Sequence, residues 1–223
     1  MSSVSKVHQI IAIDGPAGAG KSTVSKEVAK ILSFYYLDTG ATYRMAAYLL
    51  KDLIERKKGP QALLQELILH KLDYNDSQAF IDGKDVTELI RLEQISELAS
   101  KIAVIGEIRK FLVNLQRSLV NQHGNSVVEG RDVTTVVFPN ATLKIFLTAD
   151  PQHRAQRRAK DLNIANTEVL TMLEKRDQRD LSRSESPLRI APDAVVIDNT
   201  NYSIDETIAI VLELWKQKTQ SSK

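Results

Sequence analysis

Short, β-branched apolar runs alternate with longer stretches of helical periodicity from one end of the chain to the other. HQIIAI (8–13) runs straight into glycines, which predicts a buried parallel strand. STVSKEVAKILS follows, and its Val24, Val28, Ile31 and Leu32 form one helical stripe. FYYL (34–37) predicts a second strand. Helical periodicity resumes from Thr42 to Lys57, and Gly59-Pro60 ends it. The stretch LDYNDSQAFIDGKDVT (72–87) is polar, with β-prone pieces around Asp82-Gly83, a hairpin-turn pair. It predicts a small β excursion inserted in the main domain. Two helical patterns come next, over 92–103 and from Ile105 to about Gln122. SVVEG (126–130), LKIFLTA (143–149) and AVVI (194–197) predict three more buried strands, the last two separated by charged helical segments. A final amphipathic helix over 203–217 carries the single tryptophan, Trp215, expected to anchor it to the core. This alternation predicts an α/β fold with a three-layer parallel sheet, interrupted only near 58–98.

Composition narrows the function. Lysine plus arginine number 30 against 28 acids, a net charge of +2, so nothing pulls the whole chain towards nucleic acid or a membrane. With aromatics at 5%, a nucleic-acid-binding ATPase lacks its stacking platform. Cysteine is absent, which excludes disulfides and thiol chemistry and fits a reducing compartment. MSSVSKVHQ has no apolar signal core, and no apolar run reaches the ~18 residues of a membrane span. A soluble, cytoplasmic enzyme or switch is expected. The four histidines, His8, His70, His123 and His153, have no metal-spaced partners and receive no role.

The stretch GPAGAGKST supplies the chemistry. Gly15, Pro16, Ala17, Gly18, Ala19, Gly20, Lys21 and Ser22 satisfy the Walker A spacing between a strand and a helix, and Thr23 continues it. Glycines let successive amides turn inwards onto phosphate oxygens, and the helix adds its positive end. Lys21 then reaches the β- and γ-phosphates of an ATP-type donor, and Ser22 can ligate magnesium. Asp14 either orients this loop or caps it.

Three further clusters sit where an acceptor belongs. In LDTGATYR, Asp38 ends a strand, Thr39 and Gly40 open a helix and Arg44 lies one turn on. That is either an anion site or an Asx-type cap beside a surface arginine. EGRDVTTVVFP places Arg131 and Asp132 at a strand end, as ligands or as a structural ion pair. Arg154, Arg157 and Arg158 fall on nearly one helical face, and Arg176, Asp180 and Arg183 are spaced i, i+4 and i+7. Arginine predominates in these segments, and its planar fork suits phosphate contacts and transition-state charge.

Together GPAGAGKST, LDTGATYR, EGRDVTTVVFP and RDQRDLSRSESPLRIAPDAVVIDNT closely resemble the bacterial cytidylate kinases, over about residues 10 to 217. The resemblance implies a nucleoside monophosphate kinase that passes the γ-phosphate of ATP, with Mg2+, to CMP or dCMP. It implies one catalytic domain: a core of about 8–57, 99–150 and 190–217, a nucleotide-binding insert of about 58–98 and a lid of about 151–189. By the same resemblance Asp38 and Thr39 belong to the acceptor site, Thr39 keeping the hydroxyl of a family serine. Arg44 and Arg131 clamp the acceptor phosphate. Ser100, Arg109, Asp132 and Arg183 meet the cytosine edge, and Arg176 and Asp180 lie near the ribose. Arg154, Arg157 and Arg158 are lid arginines that join Lys21 and Arg131 around the transferring group. A monomer without nucleic-acid or membrane partners is expected.

The chain departs from the family at IRLEQISELASK (90–101), at Thr134, where glycine is common, and at Asn140, where aspartate is usual. Rival readings are a related kinase for AMP, UMP or a small metabolite such as shikimate, and a GTP-type switch. The Asn-Lys-x-Asp and Asp-x-x-Gly strings of such switches are missing. A monophosphate is already a nucleophile, so neither a strong general base nor a triad is expected.

Overall fold

The computed structural model describes residues 8–162, 165–183 and 185–220. Its elements run β1 (Ile10–Asp14), α1 (Lys21–Leu32), β2 (Tyr35–Asp38), α2 (Thr39–Glu55), α3 (Pro60–Leu67), β3 (Leu72–Asn75), β4 (Gln78–Ile81), β5 (Lys84–Asp85), α4 (Glu93–Ile102), α5 (Gly106–His123), β6 (Ser126–Gly130), β7 (Leu143–Thr148), α6 (Pro151–Leu162), α7 (Asn166–Ser182), β8 (Val195–Asp198) and α8 (Ile204–Gln220). A short 3-10 turn, Leu89–Arg91, precedes α4, and a π turn, Val133–Val137, follows β6.

Five strands lie in the order β2-β6-β1-β7-β8, every neighbouring pair parallel. Side chains alternate across a strand, and the central strand shows the consequence. Ile11 and Ile13 join one apolar cluster with Val24, Val28, Val211 and Trp215, on the side of α1 and α8. Ala12 joins another with Met45, Leu50 and Leu112, on the side of α2 and α5. The sheet is therefore covered on both faces, as a parallel sheet must be, and the α/β three-layer expectation holds.

The polar excursion is an antiparallel sheet, β3-β4-β5. Asp82 and Gly83, at φ 52° and 77°, make the two-residue turn between β4 and β5. Leu72, Tyr74, Ala79 and Ile81 belong to the same apolar cluster as α2, so this small sheet is packed rather than dangling.

Three expectations need correction. Gly59-Pro60 does not only stop a helix; Gly59 caps and Pro60 opens α3, because proline suits the first helical position. Ile31 is 57% exposed, since α1 turns it away from the sheet while Val24 and Val28 face inwards. β8 is not a buried strand. It forms the sheet edge, and Val196 is half exposed there.

Trp215 packs edge-on to Phe34, ring centroids 5.5 Å apart, and fixes α8 across α1. Trp215→Ala is expected to lower stability by about 3–5 kcal/mol. Urea unfolding with an unchanged m-value measures it, and a loss under about 1 kcal/mol contradicts the anchoring role.

Candidate active site

The carboxyl ends of β1, β2 and β6 converge at one edge of the sheet, where α/β proteins bind ligands. β1 ends at Asp14, and the loop that follows turns through Gly15, Gly18 and Gly20, all at positive φ. Only glycine fits at position 15, because a Cβ there runs into the Leu147 carbonyl oxygen of β7. α1 then starts at Lys21 with no side-chain cap, leaving its first amides to face the loop. Lys21 is buried and its Nζ donates to the Pro16 carbonyl at 2.8 Å. Burial pushes its ammonium down to about 7; Arg131 and Arg176 add to the fall, while Glu129 and Asp14 oppose it. Ser22 and Thr23 are exposed on the next turn.

At the end of β2, Asp38 does two jobs at once. One carboxylate oxygen accepts from the Ala41 amide at 3.1 Å, capping α2, and the other pairs with Arg44 Nη2 at 2.6 Å. Burial works to raise the Asp38 carboxyl, but Arg44 prevails and holds it below the usual range. Cap and arginine site are therefore one device. Arg44 Nε is buried and has no hydrogen-bond partner. The Thr39 hydroxyl donates to the Glu129 carbonyl at 2.7 Å, which ties α2 to β6.

Arg131 and Asp132 follow β6 but do not pair with each other. Arg131 donates from Nε to Asp180 Oδ2 at 2.9 Å, and Arg183 donates to the other oxygen of the same carboxylate. Burial would raise Asp180, yet Arg131 and Arg183 hold it low. Asp132 instead receives Arg109 Nη2 on its Oδ2. Arg109 is buried, donates also to the Ala103 carbonyl at 3.0 Å and to Ser186 Oγ at 2.9 Å, and lies 5.7 Å from the Tyr43 ring centroid. Ser100 donates back to its own helix, to the Ser96 carbonyl at 3.1 Å, so no hydrogen bond joins it to the Asp132–Arg109 pair. Arg176 makes no hydrogen bond among the described residues, and burial with Arg131 nearby lowers it to about 10.

The three arginines of α6 part company. Arg154 is buried and donates to the Ala149 carbonyl at 3.0 Å, the Ala17 carbonyl at 2.9 Å and Asp177 Oδ2 at 2.6 Å. Asp177 Oδ1 in turn accepts from the Ala17 amide at 3.2 Å. Both backbone groups of Ala17 are thus gripped from α6 and α7, and its methyl packs with Ala155, Val169 and Leu173. Arg157 forks onto Asn199 Oδ1 and carbonyl at 3.0 and 2.8 Å, and Asn199 Nδ2 donates to the Ala19 carbonyl at 3.0 Å. Arg158 is half-buried and, among the described residues, makes no hydrogen bond or ion pair.

Several site residues were not singled out by sequence reasoning. Glu129 stands in register with Asp38 across β2 and β6, and both burial and Asp38 push its carboxyl up. Tyr36 donates to its Oε1 at 2.6 Å, and Ser22 is near enough to pull the carboxyl part of the way back down. An acid at a predicted strand end beside a phosphate loop was the available signal. Asp14 neither caps nor orients the loop by hydrogen bonds. It accepts from the Val133 amide, the Thr134 amide and the Thr134 hydroxyl at 2.9, 2.7 and 2.6 Å, and so holds the turn after β6. The departure at Thr134 thereby gains a donor that glycine lacks. Asp177, Asn199 and Ser186 left no sequence signal, because their partners lie far away along the chain.

A hard divalent cation fits beside Ser22. Its hydroxyl lies near Glu129, a carboxylate that burial and a facing acid both disfavour as an anion. Among the described residues no three metal-binding side chains cluster. The donor set therefore suits magnesium held largely by phosphate oxygens and water.

A family profile described as cytidylate kinase matches residues 11–217. The cytidylate kinase of Carboxydothermus hydrogenoformans is 45% identical over 217 residues, spanning 93% of this chain and 97% of that one. That of Caldicellulosiruptor bescii is 46% identical over 214 residues, spanning 92% and 94%. Among solved structures, a gluconokinase from Sinorhizobium meliloti 1021 superposes with a TM-score of 0.51 at 13% identity, over 97% of this chain and 98% of that one. An uncharacterized protein from Eubacterium ventriosum gives 0.52 at 14% identity, over 92% and 97%. These two likenesses are of fold alone.

The depressed Lys21 makes stability pH-dependent. Between about pH 7 and pH 10 the unfolded chain binds a proton that the folded chain releases. Unfolding free energy therefore rises with pH across that window, and below it the full penalty of the buried charge stands. Lys21→Met is expected to be more stable than the parent by on the order of 2 kcal/mol at pH 7, and to gain less between pH 7 and pH 9. Urea unfolding of both chains at the two pH values measures this; identical pH dependence contradicts it.

Proposed function

The chain belongs to the cytidylate kinase family, and we propose that it transfers the γ-phosphate of ATP to CMP or dCMP, giving ADP and CDP or dCDP. One observation carries this reading: the phosphate loop with Lys21 follows β1, while Arg44 and Arg131 follow the neighbouring parallel strands β2 and β6 at the same end of the sheet. Arg131 with Arg176 adds to the fall of the Lys21 ammonium. Cations from three distant segments thus act on one another, and Arg176 makes no hydrogen bond among the described residues. Two phosphate groups meeting there relieve the repulsion.

ATP lies with its phosphates in the loop Gly15–Thr23, its β- and γ-oxygens met by the amides and by Lys21. Ser22 and Glu129 would hold magnesium beside the phosphates, and the ion would supply positive charge against the phosphate oxygens. CMP enters from the side of α2, its phosphate between Arg44 and Arg131. Asp38 aims Arg44, and the buried Arg44 Nε points to an anionic partner. Arg176 and Asp180 serve the ribose.

An oxygen of the CMP phosphate attacks the γ-phosphorus in line. The new P–O bond forms as the bond to the bridging oxygen breaks, and ADP leaves with the electron pair. Lys21 and Arg158 follow the charge across the transferring group, Arg158 because its guanidinium is otherwise uncommitted. Arg154 and Arg157 fasten α6 to Ala17 and, through Asn199, to Ala19. The helical segment 151–189 then acts as a lid that excludes water, 58–98 as the acceptor-binding insert, and 8–57, 99–150 and 190–217 as the core.

Base choice follows from the Asp132–Arg109 pair. Arg109 grips Asp132 Oδ2, leaving Oδ1 to accept from the cytosine amino group. Uracil presents a carbonyl oxygen in that place, and two oxygens without a proton between them repel. Arg183 and Ser100 complete the edge contacts. The proposed setting is the cytoplasm, which a cysteine-free chain fits, and the proposed state is a monomer.

A coupled ADP-release assay with Mg-ATP tests this against CMP, dCMP, UMP, AMP and GMP. ADP is expected with the cytidine pair alone, and equal turnover of UMP contradicts the assignment. Asp132→Ala is expected to lower the CMP-over-UMP preference by roughly two orders of magnitude. Arg158→Ala is expected to lower kcat by about 100-fold while the KM for CMP moves less than about threefold. A KM effect without a kcat effect places Arg158 in ground-state binding instead.

A further inference from the structure

Arg109 is buried at the junction of three segments, and each supplies it one acceptor. The Ala103 carbonyl comes from the end of α4, Asp132 from the turn after β6, and Ser186 Oγ from the segment that returns from α7 to β8. A guanidinium is a rigid fork, so three acceptors on separate segments fix its plane. Ser186 holds Nε, the position about which that plane would otherwise swing.

The backbone at Ser186 is unusual. Its φ is 50°, in the left-handed region where glycine, asparagine and aspartate are favoured and serine is uncommon. The other non-glycine residues there, Ser33, Lys57, Asp76, Ser77 and Asp82, are turn residues. Among the described residues, Ser186 is the one of this group whose side chain bonds a buried charged group. Its segment is also pinned. The Leu188 amide donates to the Asp180 carbonyl at 2.8 Å, and the Leu188 side chain is buried. The fold thus holds a serine in a conformation that glycine would adopt more readily, with its hydroxyl on Arg109. Observed strain of this kind points to a use for the side chain.

We propose that Ser186 is a positioning residue for base selection: its hydroxyl sets the plane of Arg109, and Arg109 in turn presents the free oxygen of Asp132 to the acceptor base. The inference rests on the reading of Asp132 given above. Without the hydroxyl, Arg109 Nε is buried with no partner and the guanidinium rotates to find one. Asp132 Oδ1 then loses its aim at the cytosine amino group. The same bond joins the base-reading pair to the segment that returns from α7 to β8.

Three substitutions separate the hydroxyl from the backbone. Ser186→Ala removes the acceptor and keeps the strained φ. Ser186→Gly removes the acceptor and relieves the strain. Ser186→Asn suits the left-handed backbone and returns a carbonyl oxygen to the position. kcat/KM is measured for CMP and for UMP, with the KM for ATP and the melting temperature. The Ala and Gly variants are both expected to lose about tenfold in the CMP-to-UMP ratio, chiefly through KM for CMP, with KM for ATP within about twofold of the parent. Ser186→Asn is expected to recover most of the ratio, and Ser186→Gly to melt no lower than Ser186→Ala. An unchanged ratio in both the Ala and Gly variants overturns the proposal, as does a loss that Asn shares in full. A parent chain with no preference for CMP over UMP overturns the functional reading itself, and this inference with it.

Discussion

Lys21, buried, and Arg131 and Arg176, half-buried, stand in one another's electrostatic field, and much of the surrounding structure can be read as the means of keeping them there. Burial alone disfavours the charged form of each, and mutual repulsion adds to it, which is why Lys21 falls to about 7 and Arg176 to about 10. Asp180 restrains Arg131, while Glu129 and Asp14 draw Lys21 partly back. These acids face part of the cluster only: Arg176 makes no hydrogen bond among the described residues, and Arg44 Nε is buried without a partner. In a medium less polarisable than water such unpaired donors attract phosphate strongly, and they lie where a donor and an acceptor can each bring one.

Holding such a cluster is the work of the sheet. β1 is the central strand and carries the phosphate loop off its end, while the register with β2 and β6 brings Asp38 level with Glu129 and Asp14 level with Gly130. Small residues make the close approaches possible: Gly15 against the Leu147 carbonyl, and Gly130 against the Thr39 hydroxyl and Val133. From above, α6 and α7 grip the loop at Ala17 with one arginine, one aspartate and a few methyl groups.

Most of the fold was legible, because strand and helix periodicities are local and survive without tertiary information. The phosphate loop was legible for the same reason: its spacing is contiguous. Failures occurred where a residue's role is decided by something distant. Proline at 60 reads as a stop and acts as a start, since both suit its missing amide. Val196 is apolar enough for a central strand, yet pairing order leaves it at the edge. Asp177, Asn199 and Ser186 bond to groups more than 70 positions away. Arg131 and Asp132 are adjacent in sequence but turn to different partners, because successive residues at a strand end point in different directions. The resemblance to a kinase family named the residues; the geometry sorts its arginines into those already committed to internal acceptors and those left open to a ligand.

The central claim is that two anions meet end to end within this cluster of cations. Its most direct test is calorimetric titration with a single molecule carrying both, adenosine and cytidine joined 5′ to 5′ by five phosphates, at pH 8 in two buffers of different ionisation enthalpy. The account predicts binding at least about 100-fold tighter than ATP or CMP alone. It also predicts uptake of a proton as Lys21, depressed to about 7 in the free protein, regains its charge. An affinity no better than that of ATP, with heat independent of the buffer, contradicts it.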